Sequence, residues 1–324
     1  VFANKYELIN FTELVNINGY DNNLRRESYL GTFKYNFDSK YYLDLMVRGD
    51  GSSKFHPNNK WGVFWSVGAS WSIHREPFMA SVSFVDALKL RASYGQVGND
   101  NGVGTYAWFG LYSNAKNGGL GASYKSQNEA ADIRWESTNS VSVGLEGNLF
   151  NRLGFELDYY EKVSQDLLFS VNKPMSVGAT SNGSMSPTQT VNFGSMHNRG
   201  VELSLNFDII KTRDLVWNVN LITAWQQTKV GELPEALLDE NGGYLSGNKR
   251  YEEGMSYLAY WTYEFAGIDQ MTGLSLYNID DKRFYVGNAA EEGKTEVPAE
   301  YVVQIGDKYY TAHYTYANRG WLNG

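Results

Sequence analysis

Residues 31–48 read GTFKYNFDSKYYLDLMVR, and this stretch decides the fold of the chain. Its first half alternates aromatic side chains with polar ones, and its second half alternates mainly aliphatic side chains with mainly polar ones. Asp38-Ser39-Lys40 separates the two halves. Because successive side chains of an extended strand point to opposite faces, the stretch predicts two antiparallel strands joined by a tight turn. One face of this hairpin is apolar and the other is largely polar.

The same period of two recurs in six further segments. Their apolar positions are Val63, Trp65, Val67, Ala69, Trp71 and Ile73; Leu88, Leu90, Ala92 and Tyr94; Val141, Val143, Leu145 and Leu149; Leu153, Phe155, Leu157 and Tyr159; Val201, Leu203, Leu205 and Phe207; and Trp217, Val219, Leu221 and Trp225. The chain therefore predicts eight strands of roughly nine residues, close to the 9 to 11 that a tilted strand needs to cross a bilayer. Soluble strands more often have about 5 to 6 residues.

The connections between these segments alternate between shorter and longer ones. Short turns near Asp38 and Asn151 and moderate links at 74–87 and around Lys211 lie between longer stretches at 49–62, 96–140 and 161–198 and beyond Gln227. A meander with tight turns at one rim and long loops at the other is typical of an outer-membrane β-barrel. A soluble sandwich also alternates apolar and polar residues, so a soluble carbohydrate-binding β protein remains an alternative.

Composition agrees with a barrel wall. The chain has no cysteine, six prolines, 33 glycines, 24 tyrosines and nine tryptophans, which gives many strand formers and no disulfide framework. No apolar run approaches the 18 or so residues of a transmembrane helix. Aromatic residues flank the segments as the two interfacial girdles of a barrel require. They are Tyr41, Tyr42, Trp61, Trp71, Tyr94, Trp135, Tyr159, Tyr160, Trp217 and Trp225.

A series of longer motifs carries a family resemblance. They read RGDGSSKF (48–55), WGVFWSVGASW (61–71), REPF (75–78), LKLRASYGQVGN (88–99), WEST (135–138), LFNR (149–152), DYY (158–160), DLL (166–168) and NRGVE (198–202). In this order and spacing, over most of residues 48–230, the chain resembles the SusC/RagA family of TonB-dependent transporters. Many separate motifs in one order make this a specific signal.

The resemblance implies an all-β fold, an antiparallel transmembrane β-barrel of about 22 strands whose lumen holds an N-terminal plug. It implies import of oligosaccharides or peptides across the outer membrane of a Bacteroidota-type bacterium. The implied partners are a SusD-like surface lipoprotein that covers the barrel, TonB acting through the plug, outer-membrane lipid, and a second such complex in a dimer. A passive outer-membrane porin would have the same wall and remains an alternative.

Parts of the family pattern are not found in the sequence. We identify no plug, no TonB-binding segment, no N-terminal extension and no final strands, and no signal peptide at Val1. Residues 1–324 are therefore expected to be a portion of one barrel domain, from its middle to later part, with long extracellular loops. Missing chain is expected on both sides.

Two sets of residues are candidates for function. Glu146, Glu156, Asp158 and Glu202 fall on polar faces, where they could form a glycosidase-type carboxylate pair but are expected to line a water-filled lumen or contact the plug. The loop aromatics Tyr106, Trp108 and Tyr112 could stack on sugar rings or pack on peptide side chains. The alternative for these rings is packing against the lipoprotein or another loop.

Other chemistry is weakly indicated. The histidines at 56, 74, 197 and 313 have no metal-ligand spacing, so neither a metal nor another cofactor is expected. Residues 50–53 are expected to form a hairpin turn and not a calcium loop. There is no nucleophile motif and no basic stripe, which argues against an enzyme and against a nucleic-acid partner; the net charge is −8. Residues 301–304 and 309–313 are expected to form a short hairpin around Gly306-Asp307.

Overall fold

Regular structure consists of strands and a few short 3-10 helices. The computed structural model describes residues 22–117, 120–173, 176, 188–239, 242–246, 249–287 and 293–322. The strands are β1 (Arg26–Phe37), β2 (Tyr41–Ser52), β3 (Trp61–Trp71), β4 (Val85–Asn99), β5 (Leu111–Asn117), β6 (Leu120–Gln127), β7 (Glu136–Leu149), β8 (Leu153–Gln165), β9 (Leu168–Asn172), β10 (Thr188–Asn192), β11 (Ser195–Lys211), β12 (Val216–Val230), β13 (Tyr244–Ser246), β14 (Lys249–Tyr251), β15 (Tyr260–Tyr263), β16 (Phe265–Ile268), β17 (Ser275–Asn278), β18 (Phe284–Tyr285), β19 (Thr295–Glu296), β20 (Val302–Ile305), β21 (Lys308–Thr311) and β22 (Arg319–Leu322). The 3-10 helices are Ile73–Arg75, Pro77–Met79, Glu235–Leu237, Ala299–Tyr301 and Tyr314–Tyr316. No described helix is long and apolar enough to span a membrane.

Eight long strands form one antiparallel sheet in the order β1-β2-β3-β4-β7-β8-β11-β12. This up-and-down order within the described residues confirms the eight strands predicted from the alternation. The predicted length of about nine residues is wrong, because the strands have 11 to 17 residues. Backbone pairing continues beyond the part of each strand that has an apolar face, and the alternation marks only that part.

The register keeps each face uniform across the sheet. One apolar row crosses all eight strands through paired residues: Tyr35, Leu43, Ala69, Ala92, Val143, Tyr159, Val201 and Trp225. The neighbouring row, on the opposite face, is mostly small, polar or charged: Asn36, Tyr42, Ser70, Arg91, Gly144, Asp158, Glu202 and Ala224. Because a slip of one residue would exchange the faces, the alternation fixes this register. We call these two surfaces the apolar face and the polar face.

Aromatic side chains lie at both ends of the apolar face. Tyr29 stacks on Trp61 near one rim, and Tyr41 stacks on Trp71 near the other, with ring centroids 6.0 and 6.5 Å apart. Both pairs fit interfacial girdles. The predicted girdle set is partly wrong, since the register places Tyr42 and Tyr160 on the polar face. Trp135 is also an exception, because its ring packs against Phe55 and against Phe64 of β3.

The short-turn rim contains two tight hairpins. Asp38 and Ser39 have φ of 52° each, and Phe150 and Asn151 have φ of 57° and 51°. Positive φ at both central residues defines a type I′ turn, whose twist matches that of the flanking strands. The longer link at 72–84 and the turn at 212–215 lie at the same rim, as the strand order requires.

The opposite rim has the described residues of the connections 53–60, 100–135 and 166–194, and the described residues of 231–322 follow β12 from it. We call all of these the loop layer. The alternation of lengths is not strict, because the 53–60 loop is shorter than the 72–84 link. The hairpin turn predicted at 50–53 begins later, since β2 runs to Ser52. The predicted hairpin after residue 300 is confirmed as β20 and β21, with Gly306 at φ 63°.

Apolar cores of the ordinary buried kind lie in the loop layer. Phe55, Val103, Ala130 and Ile133 form one cluster. Leu276, Val297 and Ala317, at most 2% exposed, are buried farther along the chain. The loop layer therefore packs around its own side chains.

Candidate functional site: the polar face and its long-loop rim

A charged network occupies the middle of the polar face. The Arg91 guanidinium on β4 donates to Asp158 on β8 over 2.6 Å, donates to Glu156 on the same strand, and lies 3.4 Å from a Glu146 oxygen on β7. Lys89 lies 3.2 Å from the other Glu146 oxygen. The network therefore joins two cations on β4 to one carboxylate on β7 and two on β8.

Gly144 makes this network possible. It pairs with Arg91 on one side and with Asp158 on the other, so it lies between the two charged residues. A Cβ atom at this position would be 2.2 Å from the Asp158 Oδ1 atom and 2.5 Å from the Arg91 Nε atom. The missing side chain lets Arg91 reach across β7 to a strand it does not pair with.

The predicted polar residues are largely brought together. Glu146, Glu156 and Asp158 share the network, and Glu202 lies beside Asp158 by register. Among the described residues, Glu202 makes no side-chain hydrogen bond or ion pair. Contact of these four residues with a water-filled lumen or with a plug stays a prediction.

Sequence reasoning missed the cations of this network. Lys89 and Arg91 face the carboxylates only when β4 pairs with β7. The 36 residues between the two strands, 100–135, hide that pairing from the sequence. The available signal was their place on the polar positions of an alternating segment. A groove of about 510 Å³ adjoins the network, with His74, Asn148 and Asn206 among its lining residues.

At the short-turn rim, Glu76 lies in the link between β3 and β4 and binds side chains of the neighbouring strands. Tyr41 donates its hydroxyl hydrogen to Glu76 over 2.6 Å, and the Trp71 indole N–H donates to the same oxygen over 3.0 Å. Lys40 lies 3.7 Å from the other oxygen. The hydrogen bonds from Tyr41 and Trp71, more than the charge of Lys40, lower the pKa of Glu76 below its ordinary value.

At the long-loop rim, Asp100 ties three segments together. Its carboxylate accepts hydrogen bonds from the Arg26 guanidinium over 2.7 and 3.2 Å and from the Ser52 hydroxyl over 2.8 Å. The Lys54 ammonium donates to the Asp100 backbone oxygen over 2.8 Å. Asp100, Ser52 and Lys54 are all buried. Arg26 therefore ties the start of the 100–135 connection to β1, and Ser52 and Lys54 of the motif at 48–55 tie it to the end of β2.

An aromatic cluster lies beside this anchor. Trp135 is 5.2 Å from Phe55 and 5.7 Å from Phe64, measured between ring centroids. Phe64 occupies space left by two glycines, since a Cβ atom on Gly62 or Gly98 would be 2.5 or 2.0 Å from its ring. The polar face is thus joined to the core of the loop layer by packed rings.

The three predicted ligand aromatics have different surroundings. Trp108 packs beside the Phe55 cluster, lies 3.7 Å from Phe109 between ring centroids, and donates its indole N–H to the Ser53 carbonyl over 3.4 Å. Tyr106 is half-buried and accepts a hydrogen bond from the backbone of Asn23. Tyr112 is 71% exposed. The packing of Trp108 favours the loop-packing alternative for that ring, and ligand contact by all three stays a prediction.

The described histidines have separate surroundings. His74 accepts a hydrogen bond from the Leu88 backbone, His56 packs edge-on against Trp108, and His313 lies among tyrosines. Within the ranges that the structure describes, no group of three or more His, Asp or Glu residues could hold a metal ion.

The geometry defines a class of protein before any comparison. The sheet is antiparallel and up-and-down, its apolar face has aromatic residues at both ends, its polar face carries charges, and its tight turns lie opposite its long loops. These features together are those of a segment of a transmembrane β-barrel wall. A family model described as "TonB dependent receptor-like, beta-barrel" matches residues 3–318. The chain belongs to that family.

Curated relatives have the same family name. TonB-dependent receptor P26 of Formosa agariphila is 35% identical over 253 residues, which are 74% of this chain and 24% of that protein. TonB-dependent receptor SusC of Bacteroides thetaiotaomicron is 31% identical over 235 residues, 70% of this chain and 23% of that protein. The chain therefore spans about a quarter of the length of these relatives.

Solved structures agree in fold and sequence. The RagAB peptide importer in its closed-closed state matches with a TM-score of 0.68 and 29% identity, over 80% of this chain and 28% of that chain. A second structure, of the RagAB peptide transporter, matches with a TM-score of 0.69 and 28% identity over the same shares. The predicted SusC/RagA resemblance, barrel fold and outer-membrane localisation are confirmed, and the soluble alternative is wrong.

Proposed function

We propose that this chain is part of the barrel wall of a TonB-dependent importer that takes up an oligosaccharide or a peptide. The observation that supports the proposal most is the eight-strand register, which gives one continuous apolar face and one continuous polar face. Such a wall separates lipid from an aqueous interior, and large nutrients need an interior of this kind. The named relatives include SusC and the peptide importer RagAB.

We propose the partners that the SusC/RagA resemblance implies. The barrel would work with a SusD-like surface lipoprotein at the long-loop rim, and TonB would act through a plug segment of the whole protein. Two such pairs would form a dimer. Buried cores and the Asp100 anchor hold the loops at that rim in a defined arrangement. Such an arrangement gives a partner a defined surface to bind, which supports the proposal.

The wall side chains suggest no competing chemistry. Glu156 and Asp158 both accept hydrogen bonds from one guanidinium, and Glu146 is bound by Lys89 and Arg91. An acid and base pair for hydrolysis needs two carboxylates in different environments. These carboxylates share one environment, which favours a structural role in the wall.

The test uses the full-length parent protein in its native host. Cells that express it should take up labelled peptides or oligosaccharides, and the protein should fractionate with the outer membrane and co-purify with a surface lipoprotein. Uptake should stop when the TonB-binding segment is deleted. A passive porin would keep transporting without that segment, so continued uptake would contradict the proposal.

The same cells separate the two substrate classes. Growth on a peptide mixture and on an oligosaccharide mixture, each as sole carbon source, should fail for only one class when the gene is deleted. Unchanged growth and uptake on both would contradict the import proposal.

A further inference from the structure

A groove of about 360 Å³ lies on the polar face where the strands meet the long-loop rim. Two arginines, Arg26 on β1 and Arg48 on β2, line it together with Asp50, Asn99, Asp100 and Asn101. On the polar face, the groove lies closer to the long-loop rim than the Arg91 network does. Neither arginine belongs to the Arg91 network in the middle of the face.

Both guanidinium groups are held in place by a buried carboxylate. Arg26 binds Asp100 through its Nε and Nη2 atoms, and Arg48 binds Asp50 through Nε over 2.7 Å. The carboxylate side chains are 6% and 13% exposed, whereas the guanidinium side chains are 49% and 50% exposed. The buried acids therefore fix the arginines and leave their outer edges open to the groove.

The open edges present donors and few acceptors. A guanidinium has five N–H donors and no acceptor. Among the described residues, neither the Arg26 nor the Arg48 Nη1 group donates a hydrogen bond. The Asn101 side-chain amide makes none either, and it has one acceptor oxygen beside its two donor hydrogens. Nearby Glu136 already accepts from Asn99 and from the Leu168 backbone. A ligand here must supply acceptor atoms.

From this arrangement we infer that the groove binds a ligand carboxylate, through the outer edges of Arg26 and Arg48. A carboxylate offers two acceptor oxygens in the plane that the guanidinium fork matches. A neutral sugar would need acceptors as well as donors, and the acidic groups here are buried and already bonded. The carboxylate could come from the C-terminus of a peptide or from a uronic acid of an oligosaccharide. As a substrate site, this inference rests on the proposed function.

The experiment measures binding to the full-length protein in detergent by calorimetry. One arm compares N-acetyl-trialanine with N-acetyl-trialanine amide, and the other compares trigalacturonate with its fully methyl-esterified form. In the arm that matches the substrate, the acid should bind about tenfold or more tightly than its neutral counterpart. Equal binding of acid and neutral probe in both arms, or no binding of either acid at millimolar concentration, would overturn the inference.

Variants assign the effect to the groove. Arg48→Gln should weaken binding of the acid about tenfold, and Arg48→Lys should restore only part of it because the ammonium lacks the fork. The matched control is Lys34→Gln, which removes a cation from the same face of β1 at the exposed Lys34–Asp44 pair. If Lys34→Gln and Arg48→Gln weaken binding equally, only the general charge of the face matters and the groove is not the site.

The two proposals fail in different ways. If import stops without the TonB-binding segment but acid binding does not depend on Arg48, the importer proposal holds and the groove proposal is wrong. If acid binding depends on Arg48 but the protein imports nothing, the groove proposal holds and the importer proposal is wrong.

Discussion

The eight-stranded sheet and the loop layer arrange apolar side chains in opposite ways. In the sheet, large residues such as Phe33, Val47 and Trp225 are more than half exposed on the apolar face. In the loop layer, Phe55 is 1% exposed and Leu276 is 2% exposed. The apolar side chains of the sheet need lipid to cover them, whereas the core side chains of the loop layer are covered by other residues of that layer. Substitutions should therefore follow different rules in the two regions.

The largest effect is expected in the loop layer, at the centre of its first core. Phe55→Ala should destabilise the packing of residues 100–135 by about 3 to 5 kcal/mol, because it removes buried contacts and leaves a cavity. Hydrogen exchange of the full-length protein in detergent measures this loss segment by segment. Tyr112→Ala, in the same connection but exposed, is the control and should change exchange little. Similar exchange for both variants would show that the loop layer has no independent core.

The second largest effect is expected on the apolar face. Leu203 lies at the middle of β11, and Leu203→Arg should cost about 2 to 4 kcal/mol because it places a charge near the bilayer midplane. Ser204→Arg on the neighbouring polar face should cost much less. Folding of both variants into lipid vesicles, followed by a mobility shift on gels, compares them directly. Equal losses would contradict the assignment of the two faces, and so would the same result for Leu145→Arg and Ser142→Arg.

The sequence predicts the strands and faces of the sheet well and the loop layer poorly, for a physical reason. Along β7 or β11, one side of the strand meets a single environment, so the apolar residues fall at every second position and can be read directly. Phe55, Ile133 and Leu276 are buried by partners far along the chain and show no period. The sheet pairing of Arg91 with Gly144 is invisible for the same reason.

The candidate residues divide along the same line. Alternation places Glu146, Glu156 and Asp158 on the polar face without any knowledge of their partners, so the sequence alone predicts that they share a face. Trp108 and Tyr112 look equivalent in the sequence because both are aromatic residues of the same long connection. Only the fold of the 100–135 connection separates them, since Trp108 meets Phe109 and the Ser53 carbonyl while Tyr112 points to solvent.

A third prediction concerns the polar face and tests whether its charges are packed or merely exposed. Gly144→Ala places a Cβ atom against Asp158 and Arg91, and overpacking of this kind typically costs about 1 to 3 kcal/mol. Gly68→Ala is the matched control, because its Cβ atom would have its nearest neighbours at 3.9 Å. Urea unfolding in vesicles measures both variants. If the two glycines tolerate alanine equally, Arg91 reaches Asp158 without needing the gap.

The smallest predicted effect lies at the short-turn rim, outside both regions, and depends on pH. Because the hydrogen bonds from Tyr41 and Trp71 lower the pKa of Glu76 in the folded protein, the ionised carboxylate stabilises the 72–84 link at neutral pH. As the pH falls, the unfolded chain takes up the proton first, so the stabilisation shrinks below the ordinary glutamate pKa and is lost once the pH passes the lowered value.

Glu76→Gln is the variant that tests this. Its unfolding midpoint in urea should lie slightly below that of the parent protein at neutral pH, and the gap should close in acid over the window just described. The effect should be small because Glu76 lies at the rim of the sheet, where solvent and salt screen its charge. A gap that stays constant from neutral to acidic pH would show that shape and not charge holds Glu76 to Tyr41 and Trp71. The link between β3 and β4 would then be held by packing, as the loop layer is, and not by an ionised carboxylate.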